Sequence, residues 1–112
     1  METFSVQTET KGGVAVVTAM GRIDSDTAPA FDEELSRALG ESNRLLISLI
    51  GVEYMSSAGL RAIVKASQVA EKNGGAVKLA FVPESINSIL YTVGLNQKIH
   101  SYATVDEAVA SF

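Results

Sequence analysis

Two adjacent serines at the start of a predicted helix are the residues of this sequence that best suit chemistry. Ser56 and Ser57 follow an apolar, strand-like run and precede the small residues Ala58 and Gly59. Sites in open α/β sheets form where a strand ends, and the helix that starts there offers unpaired backbone amides. A phosphoryl group on Ser57 would meet those amides, and its small neighbours would let another protein's active site reach the hydroxyl. The residues alone leave a second role open, in which Ser56 or Ser57 only caps the helix.

The motifs of enzymes and metal sites are incomplete in this chain. The run from Ser57 to Gly59 resembles half of a nucleophile elbow, but Met55 stands where that motif needs its first glycine. His100 is the single histidine, and no carboxylates accompany it at metal-ligand spacing. The chain has no cysteine, which excludes disulfides, thiolate metal sites and a cysteine nucleophile. We therefore expect no catalytic residue, no metal and no cofactor.

The composition indicates one small globular domain. The 112 residues fit a single domain spanning 1–112. Thirteen acidic against nine basic residues give a net charge of −4, which argues against a nucleic-acid partner. The longest apolar run, Leu45 to Val52, is too short to span a bilayer, and the first residues lack the features of a signal peptide. We expect a cytoplasmic protein with no direct membrane insertion that is a monomer when free.

Glycine and proline residues, which end strands and helices, divide the chain into alternating strands and helices. An antiparallel hairpin opens it, followed by helices that alternate with strands, so the predicted class is α/β with a mixed, mostly parallel sheet in the order ββαβαβαβα. A polar loop is predicted at 21–27. Strands are predicted at 4–10, 14–20, 44–49, 76–82 and 99–102, and helices from Pro29 to Gly40, from Ser57 to Asn73, from Pro83 to Val93 and from Thr104 to Phe112.

Three stretches of the sequence resemble the STAS-domain anti-sigma factor antagonists, in the order and spacing of that family. They are Gly21-Arg22-Ile23-Asp24 with Thr27-Ala28, the run from Leu49 to Leu60, and Val93-Gly94-Leu95. The middle run, which ends in Ser-Ser-Ala-Gly-Leu, is the most specific. The resemblance covers almost the full length and implies the STAS fold, whose element order agrees with the one predicted above.

The resemblance implies a role in partner switching. In such a pathway the unphosphorylated antagonist binds an anti-sigma factor that is also a serine kinase, and a sigma factor is freed. The kinase uses ATP and magnesium to phosphorylate one serine of the antagonist, which weakens the complex, and a phosphatase reverses the step. The matching serine here is Ser57, and Asp24 matches the loop acid beside it. The partner-binding residues implied in this way are Asp24, Ser25, Thr27, Ser56, Ala58, Gly59 and Leu60.

Three positions depart from the family pattern. Ser56 stands where several members have Asp, Arg22 replaces the common Glu before the loop acid, and Ser48 replaces a strand Asp. The change at Ser48 favours an alternative function, in which the domain is an interaction subunit of a transporter or another signalling complex and is not phosphorylated.

Overall fold

The computed structural model describes residues 4–112, which form one five-stranded sheet with helices on both faces. The predicted α/β class and the order ββαβαβαβα are confirmed, with one additional 3-10 turn at Leu95–Gln97. The strands are β1 Ser5–Lys11, β2 Val14–Ile23, β3 Arg44–Met55, β4 Ala76–Ala80 and β5 Ser101–Tyr102. The helices are α1 Ala28–Leu39, α2 Ser57–Lys72, α3 Glu84–Thr92 and α4 Val105–Ala110.

The strands lie in sequence order across the sheet. β1 and β2 pair antiparallel, as predicted for the opening hairpin, while β2, β3, β4 and β5 pair parallel. Parallel strands end at the same edge of a sheet. The segments that follow β2 and β3 therefore emerge side by side.

β2 and β3 run further than the sequence predicts. β2 continues past Met20 to Ile23, through residues predicted to be loop, and β3 continues past Leu49 to Met55. Register shifts interrupt the β2–β3 ladder after Thr18 and again after Gly21. Such bulges break the two-residue alternation on which strand prediction depends. The sequence pattern therefore does not indicate where β2 and β3 end.

The two outer strands of the parallel part are shorter than predicted. β4 ends at Ala80 instead of Val82, because Phe81 adopts the left-handed backbone region with φ 54°. β5 contains only Ser101 and Tyr102, so the predicted start at Ile99 is also wrong. Ile99 instead ends a turn, in which its amide donates to the carbonyl of Leu95 at 2.8 Å.

The main core lies between the sheet and helices α1 and α2. Phe31 of α1 and Ile63 of α2 are fully buried against inward-facing residues of β2 and β3. The opposite face carries a smaller cluster beneath α4, formed by Val14, Val16, Leu46, Ala80 and Ala108. The start of β2 is thus buried on both faces, as its continuous apolar run predicts.

Most of the predicted helix ends are confirmed. Thr104 accepts a hydrogen bond from the amide of Glu107 at 3.1 Å, which is the first half of the capping box that the sequence Thr-Val-Asp-Glu favours. Gly74 and Gly94 adopt positive φ of 80° after α2 and α3, the conformation that glycine allows. Gly40 ends α1 as predicted, but in the right-handed region with φ −69°.

Gly59 lets the first turn of α2 pack directly on the ends of β2 and β3. It is buried, and a Cβ at this position would lie 2.6 Å from Cγ2 of Ile23 and 2.8 Å from Cγ of Met55. Distances below 3 Å are not tolerated, so only glycine fits without movement. This close packing fixes where the helix begins relative to the two strands.

We predict that Gly59→Ala destabilises the fold by about 1 kcal/mol net, because an overpacking cost of about 1–3 kcal/mol outweighs the gain in helix propensity of about 1 kcal/mol. Gly40→Ala is the control, since its backbone is right-handed and a Cβ there would come no closer than 3.3 Å to another residue, at the carbonyl of Arg37. Urea denaturation of both variants measures the effect. A Gly59→Ala protein as stable as the wild type would contradict the packing described here.

Candidate functional site

Ser57 is the first residue of α2, and its side chain is exposed at the sheet edge where β2 and β3 end. Ser56 precedes the helix in an extended conformation, and its amide donates to the carbonyl of Ile23 at 2.7 Å. The first helical hydrogen bond follows immediately, from the amide of Leu60 to the carbonyl of Ser56 at 3.1 Å. Strand β3 is thus fixed to β2 until one residue before Ser57.

The hydroxyl of Ser56 does not cap α2. Within residues 4–112 its oxygen is buried and has no hydrogen-bond partner. No other side chain in the described part of the chain makes an N-terminal cap bond to this helix. The role of a simple helix cap, which the sequence left open for Ser56 or Ser57, is therefore not observed. The backbone amides of the first turn face the Ser57 end without a side-chain acceptor, and such amides favour an anion.

Asp24 closes the loop between β2 and α1. One carboxylate oxygen accepts from the amides of Asp26 at 2.9 Å and Thr27 at 3.1 Å. The Thr27 hydroxyl donates to the carbonyl of Arg22 at 2.7 Å and accepts from the amide of Asp24 at 2.9 Å. The hydrogen bond donated by the backbone amide of Thr27 lowers the pKa of Asp24 most, and the one from the amide of Asp26 lowers it further. Asp24 is therefore a charged residue whose position is set by its own loop.

The structure brings the loop of Asp24 and the start of α2 to the same edge. The bond between Ile23 and Ser56 joins the two segments one residue before Asp24 and Ser57. Of the residues implied as partner-binding, Gly59 alone is buried. The others are partly or fully exposed, namely Asp24, Ser25, Thr27, Ser56, Ala58 and Leu60.

A shallow cleft between α1 and α2 lies on one side of this edge. Ser25 and Ala58 line it, and Arg61 and Lys65 of α2 lie further along. The ammonium group of Lys65 pairs with the carboxylate of Asp32 on α1 at 3.2 Å. This exposed ion pair joins the two helices at one end of the cleft.

An apolar groove between α2 and α3 lies on the other side, and sequence reasoning missed it. Its volume is about 280 Å³, and Ser57 lies at its mouth. The side chains of Ile89 and Val93 along its wall are 43% and 56% exposed. The groove is lined by Met55, Ser56, Ser57, Leu60, Ile86, Ile89 and Val93.

The apolar residues of α3 recur at i, i+3, i+4 and i+7, a spacing typical of one core-facing stripe, but only half of that stripe is buried. Ile86 and Leu90 are buried, whereas Ile89 and Val93 are exposed. Ile89 and Val93 instead line the groove beside α2. No local sequence signal marks the groove, because this spacing is the one expected of a helix that buries its whole apolar stripe.

Two of the departures from the family pattern lie away from Ser57. Arg22 alternates with the buried Ile23, so its side chain lies on the opposite face of the sheet, where its guanidinium is 4.4 Å from the ring centroid of Tyr54. Ser48 is buried in the middle of β3, where it pairs in register with Thr18 and Ala80. Neither side chain borders the cleft or the groove beside Ser57.

The described residues hold no cluster of three or more His, Asp or Glu side chains suited to a metal ion. His100 is exposed beside β5, where its carbonyl accepts from the amide of Leu79 at 2.9 Å.

Among the helices of residues 4–112, none combines the length and the apolar character needed to cross a membrane.

Comparison with known proteins gives consistent matches. The sequence model of the STAS domain family matches residues 5–108 of the chain. The chain is 28% identical over 111 residues to the anti-sigma-F factor antagonist RsfB of Mycobacterium tuberculosis, covering 96% of this chain and 88% of that protein. It is 32% identical over 83 residues to the anti-sigma-B factor antagonist of Bacillus subtilis, covering 74% and 76%. The crystal structure of an anti-sigma factor antagonist from Mycobacterium paratuberculosis is similar, with a TM-score of 0.88, 25% identity, and coverage of 97% and 93%.

Proposed function

The chain belongs to the STAS-domain family of anti-sigma factor antagonists, and from this premise we propose that it acts by partner switching through Ser57. The unphosphorylated protein binds an anti-sigma factor that is also a serine kinase, and this binding frees a sigma factor. Phosphorylation of Ser57 releases the kinase, and a phosphatase restores the hydroxyl. The pathway operates in the cytoplasm.

The exposed hydroxyl of Ser57 at the open end of α2 is the observation that carries this proposal. In the transfer, Oγ of Ser57 forms a bond to the γ-phosphorus of ATP, the bond from that phosphorus to ADP breaks, and a base of the kinase takes the hydroxyl proton. ATP and magnesium are bound by the kinase. The chain supplies only the accepting oxygen. It is therefore a substrate and a competitor, not an enzyme, and needs no cofactor of its own.

The phosphoryl group changes the surface where the partner binds. It adds about −1.5 to −2 charges at neutral pH, next to amides that have no side-chain acceptor. A charge that is desolvated at an interface and faces a surface made for a neutral hydroxyl weakens binding strongly. The modification acts directly at the contact, so no rearrangement of the fold is required.

The apolar groove between α2 and α3 supplies the second part of the partner surface. It opens at Ser57, and its exposed residues Ile89 and Val93 would be covered by an apolar side chain of the kinase. Apolar anchors in preformed pockets contribute most of the energy of many interfaces. The loop of Asp24, with Ser25 and Thr27, forms the polar side of the same surface.

We predict that Ser57→Asp binds the kinase at least about tenfold more weakly than Ser57→Ala, because only aspartate places a negative charge at the interface. Ser57→Ala keeps the affinity of the unmodified protein but cannot be phosphorylated. Each purified kinase-type anti-sigma factor of the source genome is titrated with both variants by calorimetry. Equal affinities for the two variants would contradict the switch.

We predict that Ile89→Asp and Val93→Asp each weaken kinase binding by about tenfold or more, since each would bury a carboxylate in an apolar contact. Both side chains are well exposed in the free protein, so the fold should tolerate the changes. Tyr91→Asp is the matched control, because Tyr91 is 75% exposed on the same helix and does not line the groove. If Tyr91→Asp weakened binding as much as the other two, the groove would not be the contact surface.

A further inference from the structure

Arg61 lies one helical turn after Ser57 on α2. Residues four apart on a helix are neighbours, with Cβ atoms about 5–6 Å from one another. Ser57 and Arg61 also line the same hollow beside Leu60 and Val93, next to the apolar groove. The exposed side chain of Arg61 is therefore long enough to reach the space around the Ser57 hydroxyl.

No carboxylate of residues 4–112 lies within 4 Å of the Arg61 guanidinium as an ion-pair partner. The next cation of the helix, Lys65, is already paired with Asp32 at 3.2 Å. Asp24, at the same sheet edge as Ser57, accepts hydrogen bonds from its own loop. Arg61 is thus the cation of α2 placed to meet a new anion at Ser57.

We propose that Arg61 is the intramolecular receptor of the phosphoryl group on Ser57. Its planar guanidinium can donate two parallel N–H groups to two phosphate oxygens, which an ammonium group cannot do with the same geometry. The inference rests on the proposed phosphorylation of Ser57 and adds the way in which the protein holds the modified state.

This pairing changes the partner surface in two ways at once. The phosphoryl group adds negative charge at the mouth of the groove, and Arg61 turns towards it and ceases to offer a positive charge to an acidic kinase surface. A kinase that recognises both the Ser57 hydroxyl and the Arg61 cation loses both contacts with one modification. A partner that contacts Arg61 thereby discriminates more strongly between the phosphorylated and the unphosphorylated protein.

The test uses full-length protein with phosphoserine installed at position 57 by genetic encoding, so that no kinase is needed. A ³¹P NMR titration measures the second pKa of the phosphoserine, which is ordinarily about 6. An opposite charge in contact favours the dianion. We expect this pKa to be lower with Arg61 than in the Arg61→Gln protein by about 0.2 to 0.4 pH units, the shift that an i,i+4 ion pair supports. Arg61→Lys should recover only part of the shift.

Lys65→Gln is the matched control, because it removes the same charge one turn further from Ser57. We expect Lys65→Gln to leave the phosphoserine pKa close to that of the wild type. The ¹⁵N resonance of the Arg61 side-chain Nε should also shift when phosphoserine replaces serine. An unchanged pKa in Arg61→Gln, or an equal change in Lys65→Gln, would overturn the inference. Either result would leave phosphorylation of Ser57 itself standing, since the phosphoserine is encoded.

Discussion

The site depends on the pairing of β2 with β3 to the very end of both strands. The last backbone bond of this pairing runs from the amide of Ser56 to the carbonyl of Ile23. It fixes the beginning of α2 against the loop of Asp24, and the buried Gly59 allows the two to approach closely. A serine whose backbone is held in this way can be presented to a partner without an ordering penalty, which lowers the entropic cost of binding.

The two sides of Ser57 differ in character, and under the proposed function this difference lets a single modification control a whole interface. On one side are the polar Asp24 loop and the cleft of α1 and α2, and on the other is the apolar groove between α2 and α3. In the proposed switch, the groove supplies contact area that is independent of phosphorylation, whereas the hydroxyl supplies the contact that phosphorylation removes. Affinity for the partner and its control by phosphorylation thus depend on adjacent residues. Arg61 lies beside both Ser57 and the groove residue Val93.

The sequence predicted the fold class, the element order and the exposed serine at a helix start, because glycine punctuation and apolar periodicity are local signals. It did not predict that β2 and β3 extend to Ile23 and Met55, since bulges break the alternation there. It also did not predict the groove, because the apolar spacing of α3 is the one typical of a helix stripe that faces the core. How much of a stripe is buried depends on the packing neighbours, which no local pattern contains.

The central claim, that Ser57 carries the switch, is tested most directly by mass spectrometry of the protein from its native cells under growth and stress. Trypsin cuts after Arg44 and Arg61, and the resulting peptide contains Ser48, Ser56 and Ser57, so fragmentation must separate the three. The account predicts a condition-dependent phosphoryl mass on Ser57. A phosphoryl group on Ser56 instead, or none on this peptide while the kinases are active, would contradict it and favour an interaction subunit that works without phosphorylation.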